Sequence, residues 1–517
     1  MHPQTRPDLS DAKRQLLNRI LAGKTNRASG NGAAALERPR LPRRASGNIA
    51  PQSLNQEQVW THCQMMGAKP AYNELITIHR RGKLDVRALE RSLDELNRRH
   101  EIWRTTFEMG EQEPLQIIHD DPPPVKLRAF DLRTLPQADR ARESERLACA
   151  DGRAPFNLTK LPLWRAVLVR VADEEFHLHM NLHQLVLDGV TVYRILLPEL
   201  IAIYEAFSRG LPSPLPEPAA QYADFAVWQR TKLTSQALRP HLNWWKQNLS
   251  GELPKLTWPG GKPRPAVQTY AGATEMLFLP GDVTSRLRGF AESESATLFM
   301  ALAAGFFTLM QRYTGQTDLI LGMPSASRSP ETEGIMGYFL NLLPLRVDLA
   351  GNPSFRQVLL CVRGSVVDAL EHGSVPLLRL LEEVRPARDE SRNPIFQIMI
   401  SLEPPMPAIE PAWDLTQAGV SSGSTKMDMY LNLDTRPDGL MAPIMYNPDL
   451  LEAATVRRMF ADWQAILSAG VETPDAPIAS LPLPKPPAAL PEPPTVTSNH
   501  VAKPSSLGGK LLGWLKR

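Results

Sequence analysis

Between Phe176 and His183 apolar and polar residues alternate without a break. Phe176, Leu178, Met180 and Leu182 fall on one side, and His177, His179, Asn181 and His183 on the other. A period of two is the mark of a strand with two different faces. Past Gln184 the alternation gives way to Leu185-Val-Leu and then Asp188-Gly189. Amphipathic spacing from about Val190 to Phe207 predicts a helix. The stretch reads as strand, tight loop and helix, with polar groups collected at the turn. A row of imidazoles there is unusual, since each ring offers a donor and an acceptor and titrates near neutral pH.

The same patterning places other elements. Asp11 to Leu21 carries Leu16, Leu17, Ile20 and Leu21 at helical spacing, with Ser10 as cap. A loosely attached helix and a docking helix both fit that spacing. Tyr72 to Arg80 and Leu163 to Val171 read as strands, the second beside Phe176–His183. Leu84 to His100 reads as a helix with Leu84, Leu89, Leu93 and Leu96 inward. Leu211 to Ala219 is a Pro-rich loop, and Gln221 opens a helical stretch that continues to Trp245. Thr297 to Tyr313 is apolar on all sides and predicts a buried helix, while Thr455 to Leu467 predicts a closing one.

Composition narrows the class. A chain of 517 residues, 43% of them hydrophobic, favours more than one domain. No run of about 18 apolar residues occurs, so no membrane span is expected. The Arg- and Pro-rich N-terminus lacks the apolar core of a secretory signal. Cys63, Cys149 and Cys361 are scattered, which fits a reducing cytoplasm rather than a disulfide framework. Residues 1–50 hold ten basic and three acidic side chains, a charge of +7, and residues 484–517 hold +4. That leaves −8 for the body of a chain whose net charge is +3, which argues against a nucleic-acid-binding body. The basic ends suit acidic partners or plain solvation. Seven prolines between Leu481 and Thr495 mark a linker. The last eleven residues, Leu507 to Arg517, are short, basic and apolar; their three glycines favour a frayed tail over a docking or membrane-grazing one.

Several familiar chemistries are set aside. His177, His179 and His183 share a strand face, but no second ligand set accompanies them, so no metal is expected. Gly23-Lys-Thr25 ends like a phosphate-binding loop, yet Asn18 stands where its first glycine belongs. Gly419-Val-Ser-Ser-Gly423 has the lettering of a nucleophile elbow without the flanking strand and helix.

His183-Gln-Leu-Val-Leu-Asp-Gly189 resembles the His-His-x-x-x-Asp-Gly signature of the condensation domains of nonribosomal peptide synthetases, with Gln184 in place of the second histidine. Further motifs follow in order. Arg99-His-Glu-Ile-Trp-Arg-Thr-Thr-Phe107 is similar to Arg-His-Glu-x-Leu-Arg-Thr-x-Phe, and Tyr222-Ala-Asp-Phe-Ala-Val-Trp228 to Tyr-x-Asp-Phe-Ala-x-Trp. Gly337, Phe339 and Asn341 match a third motif, with Leu342 where threonine is usual. His372 with Pro376 and the run Arg388 to Gln397 match two more. The resemblance spans roughly Ser53 to Ala469.

What the resemblance implies is specific. The fold is an α/β (α+β) pair of chloramphenicol-acetyltransferase-like lobes, a V-shaped pseudo-dimer around a central tunnel. The lobes would cover 51–225 and 226–480, between a basic segment at 1–50 and a linker and tail at 481–517. The catalytic positions would be His183, Gln184, Asp188 and Gly189, with an ion pair between Arg104 and Asp188. His179, Ser325, Tyr338, Asn341 and Asn393 would line the tunnel. By itself His183 reads as structural, Asp188 as a helix cap and His100 as the end of its helix. The chain would act as a monomer in the cytoplasm and bind no cofactor of its own. It would work on the phosphopantetheine arm of carrier proteins, passing an acyl group to an amine or alcohol. Glutamine cannot take a proton at neutral pH. The alternative is a condensation-like module that binds carriers or recruits tailoring enzymes without turnover.

Overall fold

Two hydrophobic cores divide the chain. The computed structural model describes residues 11–21, 41–45, 47–258, 261–403, 411–417 and 422–482. The N-terminal lobe contains strands β1 (Ile49–Pro51), β2 (Asn73–Arg81), β3 (Thr105–Met109), β4 (Pro114–Ile118), β5 (Arg128–Asp131), β6 (Trp164–Ala172) and β7 (Glu175–His183). After α1 (Asp11–Leu21), its helices are α2 (Leu54–Met66), α3 (Val86–Arg99), α4 (Gln137–Gly152), α5 (Gly189–Thr191), α6 (Leu197–Phe207) and α7 (Tyr222–Lys232). The C-terminal lobe begins with α8 (Ser235–Asn248) and holds strands β8 (Ala273–Pro280), β9 (Asp318–Ala326), β10 (Leu340–Asp348), β11 (Ile398–Glu403), β13 (Met429–Arg436) and β14 (Gly439–Tyr446), while β12 (Trp413–Gln417) joins the sheet of the first lobe. Its remaining helices are α9 (Gly281–Ser293), α10 (Leu298–Thr314), α11 (Phe355–Glu371), α12 (Leu377–Val384) and α13 (Ala453–Glu472).

Each lobe is built on one mixed sheet. The order is β12-β2-β7-β6-β5 in the first and β10-β9-β11-β13-β14-β8 in the second; β1-β4-β3 forms a small third sheet. The alternation along β7 explains its place. Its apolar row, Phe176, Leu178, Met180 and Leu182, joins the core with Leu89, Leu93 and Leu96 of α3 and Leu200 and Ile203 of α6. Its polar row is covered as well. Ser144 of α4 brings its hydroxyl to 3.0 Å from His177 Nδ1 and 2.8 Å from His179 Nε2. Thr77 Oγ1 lies 2.8 Å from His179 Nδ1, and Asn181 Nδ2 donates to the carbonyl of Asp151 at 2.9 Å. Buried polar groups on a strand are held by partners; Ser144 of α4 and Thr77 of β2 supply them to the imidazoles, while Asn181 Oδ1 is left without one.

Tyr222 and Phe225 of α7 belong to the first core, and Leu238 and Trp245 of α8 to the second, so the chain passes between lobes at the short link joining these helices. The apolar face of α1 is used within the chain: Leu17 is buried in the second core, and Lys13 Nζ lies 2.5 Å from Asp368 of α11. Two segments of the C-terminal half return to the N-terminal lobe. Ile335, Met336, Tyr338 and Phe339 form one; Trp413 and Leu415 of β12 form the other, and all are buried in the first core. β12 extends the first sheet, pairing antiparallel with β2 from Trp413 opposite Arg80 to Gln417 opposite Ile76. Ser10, Gly23-Lys-Thr25, residues 419–421 and the tail from 483 lie outside the described residues.

Candidate functional site

The signature loop starts where β7 runs out. Gln184 N–H donates to Tyr72 O at 2.9 Å and closes the pairing with β2. A single 3₁₀ turn, Gln184–Val186, then reverses the chain, and Asp188 caps the next helix by accepting from Thr191 N–H at 2.7 Å. That helix runs from α5 through one π turn, Val192–Leu196, into α6.

His183 is buried and held. Its Nδ1 accepts from Leu185 N–H at 3.2 Å, so the neutral ring carries its hydrogen on Nε2, 3.8 Å from Cys63 Sγ. Burial, with help from the Lys426 ammonium, pushes its pKa down to about 3. The ring is a fixed neutral group behind the loop. Gln184 points elsewhere. Lys426 Nζ donates to its Oε1 at 2.8 Å, lies 3.3 Å from Glu74 Oε1 and stands 4.7 Å over the Tyr72 ring. With the side-chain carbonyl occupied, Gln184 has N–H donors to offer and no nitrogen that can take a proton.

Asp188 pairs with Arg328, not Arg104. Arg328 Nη2 lies 2.9 and 3.1 Å from the two carboxylate oxygens, and Phe339 N–H donates to Oδ2 at 3.0 Å. Arg328 also donates to the carbonyls of Thr332 and Ile335 and stacks 4.0 Å over the Phe339 ring. Thr191 Oγ1 donates to Gly337 O and accepts from Gly337 N–H. The cluster stitches the signature loop of one lobe to residues 328–339 of the other. Arg104 lies at the rim of the small sheet, donating to His119 O at 2.8 Å and lying 3.6 Å from the exposed Asp120. It ends a 3₁₀ turn whose next residue starts β3, which carries its side chain to β4 and away from the loop.

A cavity of about 890 Å³ opens between the lobes at this loop. Gln184, Asp188 and Gly189 of the signature line it, together with Tyr338, Asn393 and Glu403 from the second half of the chain. Asn393 is oriented by donating to Lys426 O at 2.8 Å. Three other expected lining residues sit elsewhere. His179 is enclosed beneath α4 by Thr77 and Ser144. Asn341 turns away to support the segment between α11 and α12, donating to Gly373 O and Val375 O and accepting from Leu377 N–H. Ser325 lies opposite Asn341 in the β9–β10 pairing, one residue past Pro324, which does reach the wall. His100 is the residue that ends α3, and its Nε2 is 2.8 Å from Glu199.

Electrostatically the cavity mixes charge with neutral rings. His62 meets Tyr72 Oη at 2.7 Å and Tyr270 Oη at 3.3 Å; burial and Lys426 push its pKa down to about 4. Burial raises the Tyr72 and Tyr338 phenols. Burial, then Asp434, Glu74 and Asp188, push Glu403 up to about 7. Arg328, Lys426 and Glu403 are the functional candidates that pattern reasoning missed. Their signal was weak, because Arg328 and Lys426 stand 140 and 242 residues from their partners Asp188 and Gln184. Among the described residues no group of three or more His, Cys, Asp or Glu side chains could hold a metal, and no single helix is long and apolar enough to cross a membrane.

Comparison with known proteins agrees with this architecture. The family model described as "Condensation domain" matches residues 47–488. The chondramide synthase of Chondromyces crocatus is 39% identical over 464 residues, which cover 88% of this chain and 12% of that synthase. A linear gramicidin synthase polypeptide of Brevibacillus parabrevis is 38% identical over 84% of this chain and 8% of its own length. The chain thus spans about a tenth of these relatives. Among solved structures, the X-domain from teicoplanin biosynthesis superposes with a TM-score of 0.75 at 26% identity, covering 86% of this chain and all of that one. The first condensation domain of the calcium-dependent antibiotic synthetase shares the fold, with a TM-score of 0.72 at 20% identity over 84% of this chain and 99% of its own. A signature loop at the end of a central strand, two lobes around a cavity and a family match over most of its length show that this chain belongs to the condensation domain family.

Proposed function

We propose that the chain transfers an acyl group from the phosphopantetheine thioester of a carrier protein to an amine or alcohol, as a step of nonribosomal peptide assembly. The observation that carries this is the cavity of about 890 Å³, bounded by both lobes and reaching Gln184, Asp188 and Gly189. It falls in the size range, roughly 300–1,000 Å³, of pockets that enclose small ligands. Acyl transfer needs an ordered nucleophile, support for the oxyanion and a route for the proton. The N–H donors of Gln184, oriented through the Lys426 contact, suit the second need. The tight cluster around Asp188 suits the first, because it holds the loop against Phe339. The third is not met by Gln184. A side-chain base at that position would be worth about 10²–10⁴ in rate, or roughly 3–6 kcal/mol of barrier.

The test is intact-mass analysis of carriers loaded with acyl and aminoacyl groups, mixed with the chain and with free amines and alcohols. Product on the acceptor supports the proposal. If none forms, and Gln184→His creates activity from nothing, the native chain is not a catalyst of this type. The second reading, recruitment without turnover, draws on the likeness to the teicoplanin X-domain, for which a complex with OxyB is known. Capture of a tailoring enzyme by a chain that turns nothing over would favour it.

A further inference from the structure

Glu403 lines the cavity, and the three carboxylates that act on it each have a cation. Asp188 has Arg328 at 2.9 Å, Glu74 has Lys426 at 3.3 Å and Asp434 has Arg436 at 2.5 Å. Glu403 makes no hydrogen bond or ion pair among the described residues. It is the last residue of β11, in parallel register with Asp434 of β13. Its carboxylate stands against the signature loop: a Cβ at Gly189 would lie 3.3 Å from Glu403 Oε2. The groups facing it are the three paired carboxylates and the phenols of Tyr193 and Tyr430, which burial and Glu403 itself keep protonated. A carboxylate left without a cation inside a cavity is costly unless a cation arrives.

We infer that Glu403 receives the ammonium of an amine acceptor and takes its proton. The inference rests on the acyl-transfer reading above and adds the acceptor class and the missing base. The ammonium gives one proton to the carboxylate, leaving a free amine and a carboxylic acid. The amine lone pair attacks the thioester carbonyl. The C–N bond forms, the C–S bond breaks, and the second proton shed by nitrogen leaves with the pantetheine sulfur as a thiol. A base poised near pH 7 is matched to an α-amino group, whose pKa is about 7.7–8.0. An alcohol acceptor brings no positive charge and offers the carboxylate only a hydroxyl hydrogen bond.

Two measurements on the full chain test this. Titration calorimetry at pH 7.5 compares the stable glycyl amide of aminopantetheine with its N-acetyl form. The amine binds the wild type about 10-fold more tightly, as one charge-assisted hydrogen bond allows, and Glu403→Gln removes the difference. Equal binding of the two probes to the wild type overturns the inference, whether or not the chain turns over. Single-turnover amide formation with loaded carriers then falls roughly 10²–10⁴-fold in Glu403→Gln and loses its acidic limb, while Glu403→Asp keeps that limb. An unchanged rate and pH profile in Glu403→Gln also overturns it. If the wild type prefers the amine probe yet forms no product with any carrier pair, acyl transfer falls and the ammonium site stands.

Discussion

Replacing Arg328 by methionine isolates the stitch between the lobes. The substitution keeps much of the side-chain volume but removes the guanidinium from beside a carboxylate that is 0% exposed. Asp188 would keep only the Thr191 and Phe339 N–H groups. Removing one partner of a buried pair costs about 3–5 kcal/mol, because the other charge is left without compensation. Replacing both, in Asp188→Asn with Arg328→Met, removes the stranded charge and is expected to recover most of that loss. The coupling energy should approach 2–3 kcal/mol, the upper part of the usual range of about 0.5–3 kcal/mol. Arg104→Ala gives up one hydrogen bond to His119 O and a partner that is 70% exposed, so it should cost about 1 kcal/mol. Urea denaturation followed by the fluorescence of the ten tryptophans measures these variants, with Asp188→Asn alone and combined with Arg104→Ala to close both cycles. If Arg104→Ala costs as much as Arg328→Met and couples to Asp188→Asn, the assignment of the pair is wrong.

Three further outcomes are expected. Gln184→His places an imidazole beside the Lys426 ammonium, which lowers its pKa and weakens it as a base; the double variant with Lys426→Met should therefore form product faster than the single one in a single-turnover assay, and equal rates would separate Lys426 from the site. Acid should destabilise the protein: His183 has a folded pKa of about 3 against an ordinary 6.5, so the unfolded chain binds its proton first. That contribution is fully present above pH 6.5 and lost progressively down to pH 3, about 1.4 kcal/mol of it by pH 5.5, with His62, His177 and His179 adding in the same direction; a melting temperature flat from pH 7 to 5 would contradict this. Gly337→Ala drives a methyl into the Tyr222 ring at a backbone φ of +154°, and should cost about 1–3 kcal/mol or more in thermal unfolding.

The sequence was most legible where a periodic pattern coincided with burial. The β7 alternation, the apolar α10 and Leu89, Leu93 and Leu96 of α3 lie in the elements their spacing predicts, while Leu84 falls just before α3 begins. The fold followed from motif order. The polar row of β7 misled, because alternation tells that two faces differ but not what covers each. Ser144, on a separate helix, turned His177 and His179 into satisfied interior groups. Asn341 went astray for a similar reason, since its place in a motif says nothing of which way its amide points. Arg328 and Lys426 were illegible as partners, because contact between residues more than a hundred positions apart is set by how the sheets assemble. The Glu403 feature is a lack of a partner, and that has no local lettering at all.

β12 has a practical consequence for protein engineering. Its five residues are encoded after β11 of the C-terminal sheet, yet they hydrogen-bond along β2. A fragment that stopped after α7 would bare the β2 edge, and an unpaired edge of that length invites neighbouring copies to pair with it. Chimaeras that exchange one half of the chain must therefore treat Trp413–Gln417 as belonging to the first half, with complementary side chains at Trp413 and Leu415. A cut made by gene order alone would join each half to a foreign border strand.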